Sequence, residues 1–314
     1  MSIVQRLAAV GTAAILLALA PATVQSGQRP ARQWEPVGLS GGGAMFTPAI
    51  SPADPNRMML NCDMSAAYVT RDAGRHWTMI DHDQLRSSTR CKPAFHPTDP
   101  NTIFAADGGL KVSHDGGLHW ANIGNLPGNL TGAIAIDPLQ PANMLAGAGS
   151  AVYRSTDSGQ AWSKCEGPHG TPLAFFIART GRPERPLFAA TSEGIWRSVE
   201  GSERWDPVRA GLPDGPILDF AGGCSAARNA ITLYCSTPTE LRDGKLSGGI
   251  FRSTDRGASW QPVEGAGLNR DTAKYDEWAM GPIAQYRHVA TSDARPETVY
   301  AFNTNTGVPP PHHA

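Results

Sequence analysis

The sequence predicts an all-β protein, a β-propeller of four-stranded blades. Three observations lead there. The octapeptide Ser/Thr-x-Asp-x-Gly-x-x-Trp recurs along the chain, its copies lie between short apolar runs, and its Trp returns at a nearly fixed interval. Trp34, Trp77, Trp120, Trp162, Trp205 and Trp260 are spaced 43, 43, 42, 43 and 55 residues apart. A period near 43 with room for four short strands is that of a propeller blade. No segment sustains a 3.6-residue apolar period, which excludes a solenoid of helical repeats.

The octapeptide is clearest at Ser155–Trp162 and recurs at Thr70–Trp77, Ser113–Trp120 and Ser253–Trp260. A worn copy at Ser198–Trp205 has Glu200 for Asp and Ser202 for Gly. Each follows an apolar run such as Ala151-Val152-Tyr153, so it reads as a hairpin turn. In such a turn Asp accepts hydrogen bonds from backbone amides, Gly supplies a positive φ and Ser or Thr closes the other side. Asp72, Asp115, Asp157 and Asp255 are therefore expected to be structural. The Trp opens the outgoing strand and fills the wedge between sheets.

Residues 1–22 read as a secretory signal peptide. Arg6 supplies its positive start, Leu7 to Ala20 its apolar run and Ala20-Pro21-Ala22 its small-residue cleavage site. A retained anchor needs roughly 20 apolar residues, more than this run offers. Residues 23–32 are a polar lead-in, and 33–314 form the propeller.

In the third unit, strand A spans 132–137, B 144–147, C 151–155 and D 162–165. The A–B turn there is Pro138 to Asn143, and it recurs as Ser51 to Asn56 and His96 to Asn101, with the Pro and Asn punctuation of tight turns. His96 reads as a turn residue rather than a ligand. About six units are present. The last has strands near 283–290 and 298–302 but no third strand or octapeptide, so the chain reads as cut short at its C-terminal end. Trp34 to Val37 resembles an outer strand without a blade before it.

The net charge of −1 carries no footprint for nucleic acid, and no membrane contact is expected after signal cleavage. Gly at 34 and Pro at 26 suit a fold of many turns. Five cysteines in an exported chain leave one unpaired. Cys62 ends strand B of unit one and Cys91 enters strand A of unit two, so a Cys62–Cys91 disulfide between adjacent blades is the pairing their placement allows. Cys224 and Cys235 fall at opposite ends of a hairpin and would not meet. No Cys and His spacing resembles a metal site, and no cofactor is expected.

Strand order puts the A–B turns and octapeptides on one face, and the B–C loops and D–A connections on the other. Ligands of propellers bind over the second face, at the channel mouth. That filter selects Asp63, Asp107 and Glu193, the enlarged loop Ser236 to Gly249 with Arg242 and Asp243, and the connection Gly265 to Pro282. The connection holds Arg270, Tyr275, Asp276, Glu277 and Trp278. Arg287 would line the channel if it points inward from strand A of unit six.

The octapeptide is known as the Asp-box, or bacterial neuraminidase repeat, and the chain from 34 to about 303 resembles the Asp-box propeller superfamily. That superfamily includes sialidases, xyloglucanase-type glycoside hydrolases, sortilin-type receptors and photosystem II assembly-factor-like proteins. No Arg-Ile-Pro segment occurs, so sialidase activity is not expected. The xyloglucanase-type enzymes carry a catalytic Asp in a Thr-Asp-x-Gly-Gly-x-Tyr segment. Cys62-Asp63-Met64-Ser65-Ala66-Ala67-Tyr68 resembles it, departs from it at both glycines, and marks Asp63.

The resemblance implies a secreted or periplasmic, glycoside-hydrolase-like protein that binds or acts on glycans. Asp63 would be an acid or base, completed by Asp276, Glu277 or Asp243. Tyr275 and Trp278 would stack on sugars, while Arg242, Asp243, Arg270 and Arg287 contact the ligand. Hydrolysis needs two carboxylates across the scissile bond. The alternative is a non-catalytic scaffold that binds a protein through the same face.

Overall fold

Short apolar runs such as Ile103 to Ala106, Met144 to Ala148 and Pro186 to Thr191 are buried along their whole length. A strand covered on both faces reads as a continuous apolar run. These runs are the second strands of stacked sheets, with neighbouring blades on either side. The structure, a computed structural model, describes residues 45–63, 66–86, 92–180, 185–199, 203–242, 245–264 and 286–303. The signal peptide, the lead-in, Trp34 and Cys91 lie outside them, and with Cys91 the expected disulfide.

Five antiparallel sheets of four strands follow one another along the chain. The first is β1 (Met45–Ile50), β2 (Met58–Cys62), β3 (Ala67–Thr70) and β4 (Thr78–Met79). The second is β5 (Ala94–Phe95), β6 (Ile103–Ala106), β7 (Leu110–Ser113) and β8 (Ala121–Asn122). The third is β9 (Leu130–Ile136), β10 (Met144–Ala148), β11 (Ala151–Ser155) and β12 (Ser163–Lys164). The fourth is β13 (Pro172–Ile177), β14 (Pro186–Thr191), β15 (Gly194–Val199) and β16 (Asp206–Pro207). The fifth is β17 (Asp219–Ser225), β18 (Ala230–Arg242), β19 (Lys245–Ser253) and β20 (Gln261–Pro262). A two-stranded sheet of β21 (Tyr286–Ser292) and β22 (Arg295–Asn303) comes last. The first strands of successive sheets pack side by side in the order β1, β5, β9, β13, β17, β21. This is a β-propeller, with five complete four-stranded blades among the described residues.

The octapeptide turn is held by one repeated set of bonds. In the third blade Ser155 Oγ donates to Asp157 Oδ1 at 2.7 Å and accepts the Gly159 amide at 2.9 Å. Asp157 Oδ1 also accepts the Ala161 amide at 2.9 Å. The same three bonds recur at Thr70, Asp72, Gly74 and His76, at Ser113, Asp115, Gly117 and His119, and at Ser253, Asp255, Gly257 and Ser259.

Positive φ is not confined to the glycine at the fifth position. The residue before it has φ of 60° at Ala73, 60° at Ser158 and 61° at Arg256. Two consecutive positive φ values give the tight reversal that a twisted hairpin needs. A side chain at the fourth position is tolerated because the hydroxyl and carboxylate fix the turn from both sides.

The seventh position decides whether the second carboxylate oxygen is also bonded. His76 Nδ1 lies 2.6 Å from Asp72 Oδ2, and His119 Nδ1 2.5 Å from Asp115 Oδ2. Ser259 Oγ reaches Asp255 Oδ2 at 2.5 Å. The amide and ring of His76 hold Asp72 well below the usual carboxylate range, at about 2. Desolvation pushes Asp115 up, but the amide and ring of His119 with the Ser113 hydroxyl outweigh it, so its pKa is also lowered.

The A–B turns stand beside the octapeptides. The Ala73 amide donates to Asn56 O, Gly116 to Asn101 O and Ser158 to Ala142 O, all within 2.9 Å. His96 is a turn residue, as expected: its Nδ1 accepts the Thr98 and Asp99 amides at 3.3 and 3.1 Å.

Seams between blades use varied contacts. Trp120 and Trp162 pack into clusters that include residues of the preceding blade, Trp120 with Met59 and Val69, and Trp162 with Phe104 and Leu110. The Trp120 amide donates to Gln84 Oε1 of the first blade at 2.9 Å, and the Trp260 amide to Ala210 O of the fourth at 2.8 Å. Between the third and fourth blades a fully buried Arg185 grips Asp137, Nη1 to Oδ1 at 3.0 Å and Nη2 to Oδ2 at 2.5 Å. Asp137 Oδ1 also accepts the Leu139 and Gln140 amides.

The expected loop from Ser236 to Gly249 is instead a pair of strands. β18 and β19 continue outward as a hairpin, with Glu240 opposite Ser247 and Arg242 opposite Lys245. Thr237 and Thr239 are β-branched and buried, which favours a strand. Pro238 is accommodated at a register shift between Thr237 and Glu240, where a ladder bond is not required of it. A Cβ at Gly248 would lie 1.8 Å from Pro238 O, so only glycine passes the bulge. Cys224 pairs with Ile231 and Cys235 with Phe220, so the two thiols stand apart, as expected.

Two outcomes are expected. Asp137→Ala strands a buried guanidinium and should lower stability by about 3–5 kcal/mol. Trp162→Ala should cost a similar 3–5 kcal/mol, approximately, through a cavity at the blade seam. Urea unfolding of each variant measures both. Separately, His76→Ala should raise the Asp72 pKa from its low value, read by carboxyl-carbon NMR. Because the folded pKa is depressed, the stabilisation from Asp72 is present above the ordinary Asp range and is lost as pH falls through about 2. Removing His76 should move that loss to higher pH.

Candidate functional site

The face opposite the octapeptides is built from the B–C turns and the segments that lead into each first strand. The two are tied within blades: the Gly149 amide donates to Asn129 O at 2.8 Å, and Ser192 to Thr171 O at 2.9 Å. Four of the acidic side chains on this face, Asp63, Asp107, Glu193 and Asp219, stand at strand ends and differ in what holds them.

Asp63 follows the last residue of β2 and is exposed. The Cys62 thiol lies 3.9 Å from its Oδ1. The strand end that carries it is fixed by a buried polar contact. Asn61, wholly buried, donates from Nδ2 to Thr47 Oγ1 at 2.8 Å. Thr47 has φ of 50°, in a register shift of β1 between Phe46 and Ala49. A β-branched residue with positive φ is strained, and such strain persists only where its surroundings over-determine it. Sequence reading passed over Asn61 and Thr47. The signal was a lone Asn inside the apolar run Met58-Met59-Leu60-Asn61-Cys62.

Asp107, by contrast, is committed to structure. Lys111 Nζ lies 3.1 Å from its Oδ2, the Arg86 amide donates to the same oxygen at 2.9 Å, and Lys111 also donates to Gln84 O. It clamps the D–A connection of the first blade to the second.

Glu193 faces His169 across the third and fourth blades, with His169 Nε2 3.4 Å from Glu193 Oε2. The His169 ring stands edge-on to Trp196 with centroids 4.6 Å apart. At the fifth junction Asp219 Oδ2 accepts the Val289 amide at 3.0 Å, and His288 Nδ1 lies 3.8 Å away. Arg287 is exposed on β21, beside His288. Between the first strands β9, β13, β17 and β21, Ile134, Leu173, Phe176, Phe220 and Thr291, with Lys92, line a cavity of about 250 Å³.

The remaining expected contacts fall elsewhere. Arg242 ends β18 on the projecting hairpin. Asp243, Arg270, Tyr275, Asp276, Glu277 and Trp278 lie outside the described residues. Asp63 and Arg287 stand on different sheets. Among the described residues no group of three or more His, Cys, Asp or Glu side chains is arranged to hold a metal ion. No helix among them is long and apolar enough to cross a membrane.

Asp63→Asn should change stability by no more than about 0.5 kcal/mol, as at an exposed surface position. Asp107→Asn weakens a part-buried bonded pair and should cost about 1–3 kcal/mol. Thermal unfolding of the two variants side by side checks the contrast.

No family model matches the chain. It is 25% identical over 279 residues to the xyloglucanase Xgh74A of Acetivibrio thermocellus, covering 73% of this chain and 33% of that protein. It is 28% identical over 140 residues to an oligoxyloglucan-reducing end-specific xyloglucanase of Emericella nidulans, covering 38% of this chain and 17% of that one. The GH74 xyloglucanase structure from Xanthomonas campestris superposes with a TM-score of 0.60 at 18% identity, over 86% of this chain and 43% of that chain. The chain thus spans about a third of the length of the Acetivibrio relative. It has the propeller fold of GH74 structures and is similar in sequence to glycoside hydrolases that act on xyloglucan.

Proposed function

We propose that this chain is an exported, glycoside-hydrolase-like propeller of the Asp-box superfamily. It engages a xyloglucan-type β-glucan across the face of B–C turns and D–A connections. The similarity to xyloglucanases over 279 residues carries the reading. The placement of Asp63 supports it: an exposed carboxylate on a B–C turn, outside the octapeptide turns that Asp72 and Asp115 hold.

Asp63 serves as the acid or base at one side of the scissile bond. General acid or base chemistry needs a carboxyl that reaches the glycosidic oxygen or a water, and Asp63 is accessible for that. The strained Thr47 and buried Asn61 fix the end of β2 from which it projects. The second carboxylate comes from Asp276, Glu277 or Asp243. Tyr275 and Trp278 supply aromatic rings for stacking on pyranose C–H faces.

Release of reducing ends from xyloglucan, and calorimetric binding of its oligosaccharides, test this together. The wild-type chain should bind and cleave, and Asp63→Asn should bind with cleavage reduced by about 100-fold or more, the scale of a lost general acid or base. Binding without cleavage in the wild type would make the chain a binding module. Absence of both would refute the glycan reading.

A further inference from the structure

The octapeptide face holds a feature that turn geometry does not require. In the second blade the fourth octapeptide position is Gly116, where the first, third and fifth blades carry Ala73, Ser158 and Arg256 and the worn copy carries Gly201. The space a side chain would fill there is occupied by two guanidinium groups from the first blade. A Cβ on Gly116 would stand 2.8 Å from Arg57 Nη1, 3.3 Å from Arg71 Nη2 and 3.5 Å from Arg71 Nε. Two like charges therefore converge over one Cα at the seam between the blades.

Among the described residues these two guanidiniums have few hydrogen-bond partners. Arg71 Nη2 donates to the backbone oxygen of Asp115 at 2.6 Å. Asp54 Oδ2 lies 3.5 Å from Arg57 Nε, yet Arg57 Nε and Nη1 are buried without a hydrogen-bond partner among the described residues. Asp54 pairs only loosely with Arg57, and Asp115 gives Arg71 its backbone oxygen rather than its carboxylate. Asp54 Oδ1 accepts the amide and side chain of Asn56 and only its Oδ2 faces Arg57, while the Asp115 carboxylate is saturated by Ser113, Leu118 and His119. Convergent, under-bonded guanidiniums match the planar, bidentate geometry of an oxyanion.

We propose that Arg57 and Arg71, closing over Gly116, form an anion site that takes a sulfate or carboxylate group carried by an acidic polysaccharide. Arg71 is exposed, and so is Arg75 on the same octapeptide, so donors continue outward from the buried pair. Exposed donors leading away from a partly buried pair suit a chain that bears repeated anions. The site lies on the face opposite Asp63 and does not depend on the reading of that face.

The test uses the full chain at low ionic strength, where exposed charges are least screened. Sodium sulfate, chondroitin sulfate and polygalacturonate are titrated calorimetrically, with neutral xyloglucan alongside. Arg57→Gln with Arg71→Gln should weaken binding of the acidic polymers on the order of tenfold or more. Gly116→Ser should do the same by displacing the two guanidiniums. That variant should fold, because Ser158 already occupies the equivalent position at φ of 60°, and the atoms it meets are the mobile ends of arginines. Xyloglucan binding should be the same in all three proteins. Unchanged polymer affinity in either variant, with folding intact, overturns the site. Polymers that bind no tighter than free sulfate overturn the polysaccharide as its source.

Discussion

The buried hydroxyl at the head of each octapeptide is the contact on which the rest of this protein depends. Thr70, Ser113, Ser155 and Ser253 are each at most 2% exposed. A buried hydroxyl is costly unless it is satisfied. Here it donates to the Asp two residues on and accepts the Gly amide four residues on, so it is bonded both ways. That arrangement fixes the reversal, and the reversal aims the Trp that follows at the neighbouring blade. The backbone bond from the turn to the A–B loop then locks the outer hairpin to the inner one. A single side chain thus links local turn geometry to the stacking of sheets.

Within blades the bonds repeat, but between blades they do not. One seam uses a Gln side chain on a Trp amide, another a backbone oxygen on a Trp amide, and a third a buried Arg–Asp pair. A further seam joins Arg179, Cys224 and Asp293. Arg179 Nε lies 3.1 Å from Asp293 Oδ2, whose other oxygen accepts the Cys224 amide. Burial pushes the Cys224 thiol up to about 11, so it stays protonated there. Each seam must bury whatever polar groups its two neighbours present, and those differ from blade to blade. This variety allows individual seams to acquire features of their own, such as the arginine pair over Gly116.

The two faces sort the acidic residues by what their oxygens already do. On the octapeptide face every repeated Asp accepts backbone amides, which holds it ionised and rigid. On the opposite face Asp107 is spent on a clamp, Glu193 is paired with a His, and Asp219 is bonded to the next sheet. Asp63 projects from a strand end whose rigidity comes from residues behind it, Asn61 and Thr47. A carboxylate that is exposed but anchored through its backbone suits contact with a ligand.

The sequence by itself determined the fold class, the repeat length and the strand order, because the octapeptide is a local device. Its bonds lie within eight residues, so its residue types are legible without a partner. The same locality made His96 readable as a turn residue and placed Asp63 on the B–C face. What only the tertiary structure decided depends on contacts between distant residues. Arg185 and Asp137 are 48 positions apart, and nothing near either one announces the other. The projecting β18–β19 hairpin was hidden because Pro238 and the glycines read as loop punctuation until the bulge accommodated them. The arginine pair needed the missing Cβ of Gly116 in the next blade. Local bonding is written along the chain, whereas seam chemistry arises only when the twist of the sheets brings separate blades together.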